Sequence, residues 1–394
     1  MMDLTLTNAE LVRNARTLRP LLRANAEESA KNRRLAQESV AAVRSGGFLQ
    51  GLVPRRCGGH EVDIQTYCEI CEELARGDSA AGWLAMVANS SASLMGLMPD
   101  KTRDDVFGSD PRAVVIGQWA PTGKATAVEG GWMLTGKWPW ASGCFEAQWS
   151  FVGSPVLDTS GALTDVRLAL VPTSELKIED TWHVAGMAGT GSNTLVGKDI
   201  FVPDHRTMLI SEMISGFSRS DHSDEPLYRA PLITALPLGI CSAAVGMAEA
   251  AFDLTLENLE RGKPIVTSLY TDARQSPSYQ LNLADARGLI DSARLHTMRA
   301  ASDIDRSVSD GTTMTDLERA RVRLDAAVAQ KRVREAVDLL LNIGGASVFM
   351  LSNPVQRIWR DIETCTRHAY INGDLGREIY ARALLKLDQV SAGF

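Results

Sequence analysis

The side chains able to exchange a proton near neutral pH are six histidines, His60, His183, His205, His222, His296 and His368. They are scattered, with no His-x-x-x-His pair and no His–Cys cluster, so the sequence implies no metal. Cys68-Glu-Ile-Cys71 has the spacing of a redox or zinc pair, but a second pair is missing. The surrounding TYCEICEELARG is helical in pattern, and positions i and i+3 share one helix face. Burial as small apolar residues is the better reading. Cys144 and Cys365 lack a neighbouring cation and base that would stabilise a thiolate. The run Gly186-Met-Ala-Gly189-Thr190-Gly191-Ser192-Asn193-Thr194 concentrates backbone N–H groups and hydroxyls that suit a phosphate; a tight β-turn is the competing reading. Six of the eight tryptophans (Trp119, Trp132, Trp138, Trp140, Trp149 and Trp182) crowd between residues 113 and 209. That density makes either a core of large residues or a platform for a flat aromatic ligand. There is no G-x-G-x-x-G and no G-x-x-x-x-G-K-[ST], so no dinucleotide sits on a Rossmann first turn.

These residues must be positioned by a chain of 394 residues, long enough for two or three domains. A composition of 45% hydrophobic and 23% charged residues is that of a globular protein. The net charge of −7 argues against a broad nucleic-acid-binding surface. No apolar run approaches the ~18–20 residues of a membrane span. The N-terminus, MMDLTLTNAELVRNAR, lacks a secretory pattern, and six cysteines in so long a chain make no disulfide framework. A cytoplasmic location is the expectation.

Residues 1–112 read as helical: Thr7-Asn-Ala-Glu10 has capping-box spacing, and 64–76 and 79–98 are apolar at helical spacing. From 113 to 212 short β-branched and aromatic runs (AVVIGQW, WMLTGKWPW, AQWSFVG, VRLALVP, TLVGKDIFVP) alternate with Gly, Pro and Asp. No helices intervene, which favours an antiparallel sheet or small barrel. After a polar linker, SRSDHSDEPLYRAP, residues 228–394 hold four long helical segments (232–260, 278–309, 315–343, 374–390), the pattern of a helical bundle. Apolar helices of such length bury a face against another subunit.

The α, then β, then bundle order resembles the acyl-CoA dehydrogenase fold, an α+β architecture, across nearly the whole chain. VPRRCGGHEVD resembles its Pro-x-x-x-Gly-Gly loop, and GKWPWASG its Gly-x-Lys-x-Trp flavin strand. RGKPI stands where dehydrogenases carry an Arg that reaches a neighbouring subunit's flavin phosphates. IGGASVFMLSNPVQRIWRD is similar to the Gly-Gly…Pro-x-x-Arg-x-x-Arg-Asp segment, with Gly344 and Gly345 in the glycine pair. Many dehydrogenases place a carboxylate base just after Arg-Asp. Eight residues beyond Asp361 the chain has Ala369, whose methyl group takes no proton, and its neighbour is His368. GQWAPTGKA, KWPWASGC, WHVAGMAGTGSNT and the C-terminal histidine instead resemble the two-component (group D) flavin monooxygenases, above all the hydroxylases of phenolic compounds.

That resemblance implies an oxygenase component, served with FMNH2 or FADH2 by a separate NAD(P)H:flavin reductase. O2 would form a flavin C4a-hydroperoxide, shielded from water, that hydroxylates a small phenolic or indolic aromatic. It implies flavin contacts from Gln118, Trp119, Trp138, Trp140, Ala141, Gly189, Thr190, Gly191 and Ser192, with Trp138 and Trp140 pointing the same way from an alternating strand. Arg261, with Lys263, would reach flavin phosphate across a homotetramer interface, and Gly344 and Gly345 would join the cofactor site. Ser142 would stand near the flavin or substrate oxygen. His368, with an imidazole pKa near 6.5, would draw the substrate's proton as general base. Ser90, Ser91, Trp119 and His368 would face the substrate; the serines replace bulkier His and Trp of similar phenol hydroxylases, which leaves the substrate open. Asp361 would pair with Arg360. An acyl-CoA dehydrogenase or nitroalkane oxidase, or an amino-sugar N-oxygenase, are the alternatives on this fold.

Overall fold

Six helices, α1 (Asn8–Thr17), α2 (Arg19–Lys31), α3 (Gln37–Ser45), α4 (Ile64–Gly77), α5 (Ser79–Ser93) and α6 (Asp100–Phe107), open the chain in the computed structural model, which describes residues 6–215, 217–222, 225 and 230–391. Part of the polar linker and the last three residues lie outside the described residues. Thr7 and Glu10 form the capping box expected of α1. Asp78 ends α4 and starts α5, its carboxylate accepting from the Ala80 N–H at 2.9 Å. Every residue of α5 except Val87 is buried, so its Ala, Gly and Ser content reflects passage through the core rather than a surface stripe. Cys68 and Cys71 on α4 are fully buried, as small apolar side chains would be.

Eight strands follow: β1 (Val115–Gln118), β2 (Gly123–Val128), β3 (Gly131–Ala141), β4 (Trp149–Leu157), β5 (Leu163–Pro172), β6 (Lys177–Glu179), β7 (Asn193–Pro203) and β8 (Thr207–Leu209). They form two four-stranded sheets, ordered β1-β4-β5-β8 and β2-β3-β7-β6. Pairing is antiparallel except between β1 and β4, which run parallel. The parallel pair arises because β1 is followed by a strand of the other sheet, and no hairpin joins it to β4.

One expectation fails on β3. Its register against β7 slips between Trp138 and Ala141, and Trp140 takes φ +67°. Strict alternation is broken there, so the two tryptophans part company. Trp138 is fully buried between the sheets, its indole N–H donating to the Gly153 carbonyl at 2.8 Å, whereas Trp140 is 71% exposed.

The short α7 (Ile210–Ile214) leads to α8 (Leu232–Leu259), α9 (Pro277–Ser309), α10 (Asp316–Gly344), α11 (Pro354–Cys365) and α12 (Gly373–Leu384). Helix α8 is long and apolar enough to cross a membrane by length and composition, contrary to the sequence expectation. Its apolar window is wholly buried within the protein, packed by α4, α9, α10 and α11, and it is the central core helix. Helix α11 was not among the four expected segments. Asn353 caps it at the Val355 N–H and Pro354 occupies its first turn.

Candidate active site

Two cavities meet where the helical and β regions come together. The larger, about 900 Å³, lies between the end of β3, the glycine-rich loop before β7, and α11. The smaller, about 390 Å³, lies between α5, β1 and α8. Four residues line both: Trp83 from α5, Trp140 and Ser142 from the end of β3, and His368 from the turn after α11. That common wall is where a group in one cavity touches a group in the other.

Ser142 is fixed in place. Its Oγ accepts from Trp83 Nε1 at 3.0 Å and shares a proton with Ser192 Oγ at 2.6 Å. Ser192 also pairs with Thr190 Oγ1 at 2.7 Å, and Thr190 Oγ1 donates to the Met187 carbonyl at 2.8 Å. A hydroxyl relay therefore runs from Trp83 into the glycine-rich loop.

His368 caps a short turn over Ala369–Ile371, and its Nδ1 accepts the Tyr370 backbone N–H at 3.3 Å. With Nδ1 an acceptor, the neutral ring carries its proton on Nε2, the edge left free for the cavities. The ring stacks on Tyr370 (centroids 5.7 Å apart) and meets Trp83 edge-on at 5.8 Å. Burial of the ring, followed by the positive charge of Arg323 on α10, pushes its pKa down to about 4. The expected value near 6.5 is thus wrong for the folded protein. At neutral pH His368 is therefore uncharged, and with Nδ1 accepting from the Tyr370 N–H its proton sits on Nε2.

The Arg360–Asp361 pair also behaves otherwise than expected. The two side chains do not bridge each other. Arg360 Nη1 donates to the Ala185 carbonyl at 2.7 Å, and Asp361 accepts the Met187 N–H at 2.5 Å. Together they clamp α11 to the glycine-rich loop. Gly186 lies between these anchors, and a Cβ there would stand 2.0 Å from the Arg360 carbonyl oxygen. Met187 and Gly191 both take left-handed backbone, at φ +59° and +56°. Desolvation raises the Asp361 carboxyl to about 6.

The remaining sequence candidates separate. Thr190 and Ser192 line the larger cavity; Gln118, Trp119, Ser90 and Ser91 line the smaller. Trp138 lines neither, because it is core. Ala141 is fully buried and Gly191 supplies a turn, while Gly189 packs against Ser29 and Ala80 beside a narrow recess. Arg261, just past α8, and Gly344 and Gly345, at the end of α10, line neither cavity of their own chain. Sequence reasoning missed Trp182, Trp359 and Arg367 in the larger cavity and Tyr370 in the smaller one. Tyr370 and Arg367 stand within two residues of His368, and Trp182 and Trp359 lie inside the runs WHVAGMAGTGSNT and IGGASVFMLSNPVQRIWRD, which were the available signals.

Fold and site together define a flavoprotein architecture with an aromatic-walled double cavity. The acyl-CoA dehydrogenase N-terminal domain family matches residues 11–98, and the acyl-CoA dehydrogenase C-terminal domain family matches residues 238–373. The oxygenase subunit HsaA of a flavin-dependent monooxygenase from Mycobacterium tuberculosis is 33% identical over 360 residues, covering 89% of each chain. The oxygenase component of an FADH2-dependent resorcinol hydroxylase from Rhizobium sp. is 31% identical, covering 98% of this chain and 96% of that protein. XiaF from Streptomyces sp., solved in complex with FADH2 and glycerol, superposes with a TM-score of 0.93 at 32% identity, covering 98% of both chains. The chain belongs to the oxygenase subunits of flavin-dependent monooxygenases built on the acyl-CoA dehydrogenase fold.

Proposed function

We propose that the protein is the oxygenase component of a two-component monooxygenase that takes FADH2 from a separate NAD(P)H:flavin reductase and uses O2 to hydroxylate a small phenolic or indolic aromatic. The observation that carries this is the pair of cavities sharing one wall of Trp83, Trp140, Ser142 and His368. Such an arrangement brings a cofactor and a substrate edge to edge and away from water.

The larger cavity suits a flavin. Trp140, Trp182 and Trp359 give flat apolar walls, Thr181, Ser192 and Thr194 give hydroxyls, and Arg360 and Arg367 give positive charge. Arg360 Nε is buried with no hydrogen-bond partner among the described residues. Reduced flavin supplies the electrons with which one oxygen atom of O2 enters the substrate and the other leaves as water. The chain's own residues orient and shield. Ser142 offers a hydroxyl held by two partners. His368 presents Nε2–H toward a substrate oxygen, where it stabilises negative charge as the ring is attacked.

The dehydrogenase alternative is weaker. The position eight beyond Asp361 is Ala369, and the carboxylate that does line the larger cavity, Glu363, is ion-paired with Arg367. The purified chain alone is expected to oxidise no NADH; adding FAD and a generic reductase is expected to start NADH and O2 consumption with hydroxylated product. Stoichiometric NADH oxidation by the single chain would exclude the two-component reading.

Assembly as a homotetramer belongs to the same proposal. Met350 and Leu351, just past α10, are 62% and 86% exposed, and Leu269, beyond α8, is fully exposed. Apolar side chains in such numbers near Arg261, Gly344 and Gly345 suit coverage by further copies of the chain. Light scattering is expected to give a mass near four times 42.7 kDa, and a monomeric mass at micromolar concentration would remove the role of Arg261. Six free cysteines fit a reducing, cytoplasmic setting.

A further inference from the structure

Four hydrogen bonds in a row join Trp83 on α5 to the Met187 carbonyl in the glycine-rich loop, through the hydroxyls of Ser142, Ser192 and Thr190. The two ends of this row have fixed roles. An indole N–H only donates, and a carbonyl oxygen only accepts. Trp83 Nε1 therefore donates to Ser142 Oγ at 3.0 Å, and Thr190 Oγ1 gives its one proton to the Met187 carbonyl at 2.8 Å. Thr190 Oγ1 then has only lone pairs for Ser192, so the 2.7 Å contact between them uses the Ser192 proton. The 2.6 Å contact between Ser192 and Ser142 must in turn use the Ser142 proton. Each hydroxyl accepts from one neighbour and donates to the next, and bonds aligned in this way strengthen one another.

Ser142 is thereby left with no proton for the cavities. It is only partly buried, it lines both of them, and one lone pair remains on its oxygen after Trp83 has taken the other. Ser192 and Thr190 are buried, so bulk water competes little for the same protons. The accepting end is also held in place. The Met187 carbonyl accepts from Trp182 Nε1 at 3.0 Å as well, and Asp361 on α11 accepts the Met187 N–H.

We infer that Ser192 and Thr190 are positioning residues that hold the Ser142 proton away from the cavities, so that Ser142 meets a ligand as a hydrogen-bond acceptor and takes a ring N–H in preference to a bare ring nitrogen. Reduced and oxidised flavin differ in that respect, because reduction adds hydrogen to a ring nitrogen that otherwise has only a lone pair. A bare nitrogen set against Ser142 gives up its hydrogen bond to water and receives none in return, which is the costly arrangement. The inference rests on the reading of the larger cavity as the flavin site. What it adds is an origin for the redox preference, in two hydroxyls that lie one and two hydrogen bonds beyond Ser142.

The test is equilibrium binding of FAD to the purified full chain in both redox states. Oxidised FAD is followed by flavin fluorescence, and dithionite-reduced FAD, under anaerobic conditions, by tryptophan fluorescence. Wild type is expected to bind the reduced form tighter. Ser192→Ala removes the acceptor and frees the Ser142 proton to turn toward the cavities. This variant is expected to bind oxidised FAD about tenfold tighter than wild type, the scale of one neutral hydrogen bond, with reduced FAD little changed. Thr190→Val is expected to move the preference the same way by a smaller factor, because Ser192 then points either way. Thr190→Ser keeps the hydroxyl and is expected to keep the wild-type preference; this pair decides the matter alone if Ser192→Ala does not fold. A Ser192→Ala variant that weakens both redox states alike, or leaves the preference unmoved, overturns the inference while the flavin reading stands. So does a wild type that binds both states equally, or a Thr190→Ser that behaves as Thr190→Val. A wild type that binds neither state removes the flavin reading, and the inference with it.

Discussion

His368→Ala is expected to cut hydroxylated product per reduced flavin by about 10²–10³-fold, while O2 is still consumed and appears as H2O2. The scale is that of a lost donor to developing charge in a dry site. In the proposed role, reduced flavin and O2 would react without this side chain, whereas the aromatic would need Nε2–H for placement and charge stabilisation. The measurement is product and peroxide counted together against reduced flavin supplied, for wild type and variant. Equal coupling in both would make His368 structural.

The same residue carries a pH signature. Its pKa in the folded protein is about 4, below the 6.5 of an unconstrained imidazole, so between those values the unfolded chain binds the proton more readily. The stability His368 allows is therefore complete above about pH 6.5 and declines as pH falls toward 4. Asp361, raised to about 6, works in the opposite direction as it protonates in the fold. Comparing melting temperatures of wild type and His368→Ala at pH 7 and pH 5 isolates the histidine, because Asp361 is common to both. The wild type is expected to lose more on acidification. An equal loss in the variant would remove the assigned pKa.

Gly186→Ala is expected to be the most disruptive single methyl in the site. The new Cβ would stand 2.0 Å from the Arg360 carbonyl oxygen, and a backbone atom within a helix cannot rotate away. Overpacking of this kind costs about 1–3 kcal/mol. Relief requires α11 to move from the loop, which stretches the Arg360–Ala185 and Asp361–Met187 bonds that hold it. Both a lower melting temperature and weakened retention of reduced flavin are expected, because Arg360, Thr190 and Ser192 all line the cavity beside this joint. A variant with wild-type melting and wild-type flavin retention would show that the clamp plays no part in the site.

The sequence by itself determined the order of helical, β and helical regions, because hydrophobic period and turn residues are local properties. It also placed Ser142, Thr190, Ser192 and His368 at the site, since short runs such as GKWPWASGC and GMAGTGSNT carry their own backbone geometry. It divided the tryptophans wrongly. Alternation assigns a face only while strand register holds, and the slip after Trp138 depends on how β7 pairs with β3, residues that are 50 or more apart in the chain. The chemistry of His368 was likewise hidden. Its tautomer follows from the Tyr370 N–H, a neighbour that was in view, but its acidity follows from burial and from Arg323 on α10, 45 residues away in sequence. Arg360 and Asp361 read as an ion pair because they are adjacent. Only the packing of α11 on the glycine-rich loop turned each instead toward a backbone group there, where an otherwise unpaired carbonyl and N–H needed partners.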